Sequence, residues 1–336
     1  MKKLKVLIFE YITGGGLNKS DLPESLAREG LLMMQSLIDN LAGIDTVEPL
    51  IMLDFRIAGR LASKPANTHI IGLEQECHQE FIRLMSLCDA IWPIAPECDS
   101  ILQTLCEEVG RSGKLLLTSS ASVVAIVGNK WLTYGHLRRH SIATVETQRL
   151  ASFSFTPGEW IVKPIDGVGC MDSHLITDQE DFDTITAALD KGDYIVQPHL
   201  KGEKTSLSCL FKQGRGWLVS ANRQQFAIIN KQYHLTGITV NFTSDTSLYQ
   251  ALVNDVATAM PDLWAYVGID LIETPDQILV LEINPRLTTS YAGIYAARGI
   301  NCARAVVELL TGDPVLQPTR NQPVYIQING QENDAK

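Results

Sequence analysis

Short runs of branched apolar residues recur through the first third of the chain, each broken by polar or glycine-rich segments. Residues 4–9, 47–53, 68–73, 89–94 and 114–117 read as buried strands. Between them, residues 23–41, 75–87 and 100–112 carry apolar positions at helical spacing. Strands alternating with helices predict an α/β unit over residues 1–118, closed by a serine-rich stretch. Further on, helices are expected at 122–127 and 128–140, then a strand at 160–164 that runs into a glycine loop. A strand at 173–177, a helix at 180–189 and a strand at 194–197 complete a second unit, residues 119–200. Residues 205–240 alternate with a period of two, with turns at Gly214 and Asn230. A helix is expected over 248–266, a hairpin over 268–281 and a helix over 302–310. These elements make a third unit, residues 201–328.

Composition narrows the class. The chain has 336 residues, 45% hydrophobic and 20% charged, enough for several domains with their own cores. Its net charge of −10 argues against nucleic-acid binding through bulk charge, so an anionic substrate needs locally placed Lys and Arg. Seven cysteines are scattered with no C-x-x-C pair, which predicts reduced thiols. The apolar run after Met1-Lys2-Lys3 stops at Glu10, too short for a signal peptide, and no window has transmembrane length. A cytoplasmic protein is expected.

The chemistry concentrates in the hairpin. Glu282 and Asn284 are two apart on a strand that Pro285 must end, so they share a face. Asp270 on the partner strand joins them. Two carboxylates and an amide oxygen are hard ligands that suit Mg²⁺, and Arg286 adds a fork for phosphate or carboxylate. Singly, each has the ordinary reading of a solvated strand end; together they read as a metal–phosphate site. Lys163 ends an apolar strand and abuts a loop with Gly167 and Gly169, whose N–H groups and ammonium can hold a phosphate tail. Its other reading is an edge-strand lysine. Lys130, at a helix start, opposes the helix dipole, a cost that an anion offsets. Upstream, Gly14-Gly15-Gly16 follows the first strand. The third glycine of G-x-G-x-x-G would fall at Lys19, so the loop is either an anion cradle or a turn. Glu97 follows a strand end, as a substrate-side carboxylate or a helix-start charge.

The order of these parts resembles the ATP-grasp ligases. A lysine at a helix start, Val162-Lys163-Pro164 with its glycine loop, a Val196-Gln197 hinge strand, Asp270, and Glu282-Ile283-Asn284-Pro285-Arg286 match that superfamily's pattern over residues 119–312. The resemblance implies an α/β protein with the ATP-grasp fold, two α+β subdomains clasping ATP, behind a small α/β pre-ATP-grasp domain. It implies that Lys130, Lys163, Gly167 and Gly169 bind the nucleotide phosphates and that Ile195, Val196 and Gln197 contact adenine. Asp270, Glu282 and Asn284 would hold Mg²⁺ (or Mn²⁺), with Lys163 and Arg286 as the catalytic cations. One part departs from the pattern. The hinge continues Gln197-Pro198-His199 without the usual carboxylate, and the ribose carboxylate is Glu203 unless the alignment slips onto Lys204.

A finer likeness, to the ligases of methanofuran biosynthesis that join glutamate to an aromatic amine, rests on four stretches. They are Phe9-Glu10-Tyr11 with the triple glycine, Ala95-Pro96-Glu97, Asn222-Arg223-Gln224 and the tail from Asn284 to Tyr291. It implies substrate contacts from Glu10, Gly15, Glu97, Arg223 and Arg286. The implied partners are ATP, glutamate and tyramine or a tyrosine-like amine, with no nucleic acid and no membrane; a homodimer is compatible with this class. Tyr11, Tyr291 and Tyr295 can supply an aromatic wall, or can be core packing. Two alternatives stand beside this ADP-forming C–N ligase: another ATP-grasp amino-acid or peptide ligase, and a non-catalytic nucleotide- or metabolite-binding module.

Overall fold

In the computed structural model, which describes residues 2–167 and 172–328, the first apolar run becomes strand β1 (Leu4–Glu10). Its Val6, Leu7 and Ile8 have no exposed surface. A strand buried on both faces belongs inside a parallel sheet. β1 pairs in parallel with β2 (Val47–Asp54) and β4 (Ala90–Ile94), and β3 (Thr68–Ile71) and β5 (Leu115–Leu116) form the edges. Helices α1 (Glu24–Ala42), α2 (Cys77–Ser86) and α3 (Ile101–Ser112) make the crossovers. The order β3-β2-β1-β4-β5 reverses between β1 and β4, which opens a crevice at their carboxyl ends. Glu10 ends one of these strands and Glu97 follows the other.

Helices α4 (Ala121–Val127) and α5 (Lys130–Arg139) follow. A small antiparallel sheet then forms from β6 (Gln148–Arg149), β7 (Trp160–Pro164), β8 (His174–Ile176) and β9 (Tyr194–Pro198). With α6 (Gln179–Thr186) it closes its own core around Val162, Ile176, Phe182 and Val196. The larger antiparallel sheet comprises β10 (Glu203–Lys212), β11 (Arg215–Ile229), β12 (Gln232–Val240), β13 (Ala265–Glu273) and β14 (Ile278–Asn284). Its core takes in Val123 and Val127 of α4 and Leu137 of α5. Among the described residues the two sheets join through one register pair, Gln232 with His174.

The helix expected over 248–266 is shorter: α7 runs Ser247–Ala259, because Pro261 has no N–H to give to the helix and β13 begins at Ala265. After the hairpin come α8 (Tyr291–Arg298), α9 (Cys302–Glu308) and strand β15 (Val324–Gln327), which pairs with β12; the apolar pattern predicts only α9. The six described cysteines are free thiols, and among the described residues no helix is long and apolar enough to cross a membrane.

The front sheet does not seal its own core. Leu37 and Leu41 of α1 share one apolar cluster with Ile294 and Ala297 of α8 and with Ala303 and Val306 of α9. Truncating fully buried Leu37 to Ala should therefore cost about 2–5 kcal/mol. The front domain and the C-terminal lobe should lose stability together, as one shifted transition in a calorimetric scan. A split profile with only one shifted component would contradict a shared core.

Candidate functional site

The hairpin of β13 and β14 pairs Asp270 with Glu282 and Gly268 with Asn284, so the three predicted oxygen ligands meet on one face. The register then slips, Leu271 facing Val280, which leaves Leu281 as an extra residue. The bulge turns consecutive Leu281 and Glu282 both toward one cavity of about 600 Å³. Asp270 Oδ1 accepts from Gln224 Nε2 at 3.0 Å and its Oδ2 from Asn284 Nδ2 at 3.0 Å, so Asn284 turns its amide nitrogen toward Asp270. Burial and the adjacent Glu282 charge push the Asp270 carboxyl up to about 8. Burial also opposes ionisation of Glu282, but the charges of Lys130, Lys163 and Arg286 outweigh it and hold that carboxyl below the usual range. The pair thus carries one proton at neutral pH, where a divalent cation would hold both as carboxylates.

Two elements bring the lysines in. Asn129 caps α5 through its side chain, fixing Lys130 at the first helical position. Lys130 N donates to Ile165 O at 2.7 Å, and its Nζ donates to Gly167 O at 2.5 Å and lies 3.6 Å from Glu282 Oε2. One lysine thereby ties the loop after β7 to the carboxylates of β14. Lys163, buried on β7, lines the same cavity.

The site continues into the front domain. Arg286 Nη2 donates to Glu97 Oε2 at 2.9 Å, across the junction between the front domain and the hairpin. Both side chains are largely buried, and among the described residues Glu97 Oε1 and Arg286 Nε have no hydrogen-bond partner. Glu97 itself does not line the cavity, whereas Glu10 does; the Glu10 carboxylate accepts from Thr13 N at 2.6 Å and Thr13 Oγ1 at 2.5 Å, and burial pushes its pKa up. Tyr11, Gln197 and Lys204 complete this set along the cavity wall.

Other expected residues are placed elsewhere. The glycine loop is a turn: Gly14 N donates to Glu10 O and Gly16 N to Tyr11 O, and Gly15 stands outside the cavity at φ 103°, packed on Ile71. Ile195 and Val196 are buried strand residues that do not line the cavity, whereas Gln197 does. Glu203 and Arg223 pair with each other, Nε to Oε1 at 2.7 Å, in a shallower recess beside the cavity. Tyr291 is buried against Tyr266, and Tyr295 lies on the surface under Arg320, so of the three tyrosines only Tyr11 meets the cavity. Gly169 lies outside the described residues.

Sequence reasoning missed a hydroxyl floor. Tyr266 Oη donates to Ser208 Oγ at 2.9 Å and lies 3.2 Å from Thr288 Oγ1, and Ser208 Oγ is 3.2 Å from Ser290 Oγ. Ser206, Thr288 and Ser290 open onto the cavity beside Asn284. Period-two placement of Ser206 and Ser208 on one strand was the available signal.

Among the described residues no group of three or more His, Cys, Asp or Glu could hold a metal. Two carboxylates and an amide nonetheless fit Mg²⁺, which takes few protein ligands and completes its shell from water and phosphate. Since the cation replaces the Asp270 proton, its apparent affinity should rise with pH up to about 8 and level off above. Calorimetry at neutral pH in buffers of different ionisation enthalpy should show proton release, which Asp270→Asn removes. The folded chain keeps that proton above the ordinary carboxylate range and the unfolded chain does not. Metal-free protein should therefore lose stability as pH rises through this window. A pH-independent affinity with no proton release would contradict the shared proton.

Residues 127–290 match the ATP-grasp domain family, and residues 47–124 match the pre ATP-grasp 3 domain family. Tyramine–L-glutamate ligases from Methanocaldococcus fervens and Methanocaldococcus jannaschii are 25% and 27% identical over 333 residues, covering 97% of this chain and 98% and 93% of theirs. A putative ATP-grasp superfamily protein from Archaeoglobus fulgidus superposes with a TM-score of 0.72 at 23% identity, over 97% of this chain and 92% of its own. An L-amino acid ligase from Bacillus licheniformis gives 0.63 at 14% identity, over 95% and 78%. The two family matches lie almost end to end, and the fold and the Lys163–hairpin site agree with them: the chain belongs to the ATP-grasp proteins, with a pre-ATP-grasp domain in front of its two α+β lobes.

Proposed function

We propose that the protein is an ATP-dependent ligase that activates a glutamate carboxylate as an acyl phosphate and joins it to tyramine or a tyrosine-like amine, in methanofuran-type cofactor biosynthesis. One observation carries this reading beyond the names of the relatives. A single cavity runs from Lys163, Asp270, Glu282 and Arg286 to Tyr11 and Glu29 of the front domain, so phosphate-handling groups and a substrate chamber are continuous.

A free carboxylate is a poor acyl donor, because oxide is a poor leaving group. Transfer of the γ-phosphoryl group of ATP to glutamate replaces it with phosphate. Lys163 and Arg286 offer cationic donors where negative charge gathers on the transferring group. Mg²⁺ or Mn²⁺, held by Asp270, Glu282 and Asn284, would supply further charge compensation there. Lys130 keeps Gly167 beside Glu282. Val145, Ile161, Ile272 and Leu281 form an apolar slot near Gln197 that suits adenine. Apolar enclosure keeps water from the acyl phosphate. ATP and glutamate, the proposed substrates, are metabolites of the cytoplasm, and we place the protein in that compartment.

Incubation with ATP, Mg²⁺, glutamate and either tyramine or tyrosine should release ADP and give the γ-glutamyl amide by mass. ADP release with a different acceptor pair, and none with these, would favour the amino-acid or peptide ligase reading; nucleotide binding without any turnover would favour a binding module. Glu282→Ala should lower turnover at least ~100-fold while the circular dichroism stays native. Lys163→Ala should weaken ATP binding and slow phosphoryl transfer together. Undiminished activity in either variant would remove that residue from the site.

A further inference from the structure

The reaction has a second chemical need that no residue above meets. At neutral pH an aliphatic amine is an ammonium with no free electron pair, and it must lose a proton before it can attack. We propose that Glu29 receives the acceptor: its carboxylate, held by Thr289 on the front-domain wall of the cavity, binds the ammonium and takes that proton. This rests on the ligase reading above and names the group that completes it.

The lysines and arginine of the cavity stand on one wall, with Asp270 and Glu282 beside them, and among the described residues the other wall carries acids alone. The front-domain residues that line it include Glu10, Asp21, Glu29 and Asp99, and among the described lining residues of that domain none is Lys or Arg. The cations, Lys163, Lys204 and Arg286, all come from the ATP-grasp lobes. An anionic phosphoryl end and a cationic acceptor end follow from that division. Of the four acids, Asp21 and Asp99 are exposed at the rim, and Glu10 is committed to the Thr13 turn. Glu29 remains. Its Oε2 accepts from Thr289 Oγ1 at 2.6 Å, and Oε1 has no hydrogen-bond partner among the described residues. Thr289 follows Arg286 by three positions, so the hydroxyl that holds Glu29 belongs to the segment that leaves the metal hairpin. Leu26, Met33, Leu235 and Ile238 give the same chamber apolar surface for the body of the amine. Burial raises the Glu29 pKa, and the Thr289 hydrogen bond and the charge of Arg286 only partly offset it.

Position 30 shows how tightly this wall is set. A Cβ at Gly30 would lie 2.6 Å from Glu10 Oε2 and 2.9 Å from Thr13 Cγ2. Only a glycine lets α1 approach the Glu10 turn closely enough to present Glu29 to the cavity.

The step balances as follows. One ammonium proton passes to the Glu29 carboxylate. The freed nitrogen pair forms the C–N bond while the C–O bond to phosphate breaks, its electrons leaving with the phosphate. The second nitrogen proton leaves with the phosphate dianion, and Glu29 returns its proton to solvent.

Hydroxylamine separates the two half-reactions, since it is largely unprotonated at neutral pH and needs no base. Glu29→Gln keeps the size of the side chain and can still accept from Thr289. It should lower amide formation with tyramine or tyrosine at least ~100-fold. It should leave ATP- and glutamate-dependent hydroxamate formation near the wild-type rate. Equal amide rates in variant and wild type would overturn the role of Glu29 while leaving the ligase reading intact. Equal loss of both products would assign Glu29 to the fold and overturn the proposal as well. Wild-type protein that makes neither hydroxamate nor amide from glutamate would overturn glutamate activation and this proposal with it. If Glu29→Gln does not yield folded protein, Glu29→Asp is read the same way: the displaced carboxylate should reduce amide but not hydroxamate, and an undiminished amide rate overturns the proposal.

Discussion

Charges taken out of water must be matched, and this molecule is arranged around one set of such matches. Lys130, Glu282, Arg286 and Glu97 form a chain of opposite charges that passes from the loop after β7, through the hairpin, to the crevice of the front sheet. Its two ion pairs, Lys130 with Glu282 and Arg286 with Glu97, join segments far apart in sequence, and Glu282 and Arg286 lie on one short stretch between them. An isolated buried charge of this kind is strongly destabilising, so the lobes are held in register by the requirement that each charge find its partner. The chain also leaves loose ends among the described residues, the Glu97 Oε1 and Arg286 Nε atoms, at the boundary between the front domain and the β13–β14 hairpin. Electrostatic pairing therefore holds the front domain and the hairpin together at a junction where two polar atoms stay buried without a partner among the described residues.

Much of this was legible in the sequence because it depends on local rules. The run Val6 to Phe9 is apolar on both faces, which only a central parallel strand accommodates, and β1 takes that place. Glu282 and Asn284 share a face because strands alternate, and Pro285 stops the strand as its missing N–H requires. The parts that escaped depend on tertiary partners. Pro261 ends α7, but the helical period through residues 260–266 hides the start of β13. The β13–β14 bulge has no signature in its own residues, although it alone turns Leu281 and Glu282 to the same cavity.

The candidate residues divide in the same manner. Lys163, Asp270, Glu282, Asn284 and Arg286 were legible because chemistry and spacing coincide in short stretches, and all five line one cavity. Arg223 was expected as a substrate contact from a motif; in the structure it is stacked at 4.7 Å over Phe242 and paired with Glu203. Glu29 gave no signal, since an acidic residue on an amphipathic helix reads as a solvated face. Only packing shows that this face of α1 turns toward the hairpin tail, where Thr289 meets it.

The apolar cluster that α1 shares with α8 and α9 bears on how such proteins diversify. Where a specificity domain rests on its catalytic partner through a polar, water-filled interface, recombination can exchange it for another and obtain a new substrate. Here the helix carrying Glu29 is also core for the helices that follow the β13–β14 hairpin. A transplanted front domain would bring the wrong shapes into a close-packed interior. New acceptors are therefore reached by point changes along the cavity wall, with both halves of the molecule inherited as one piece.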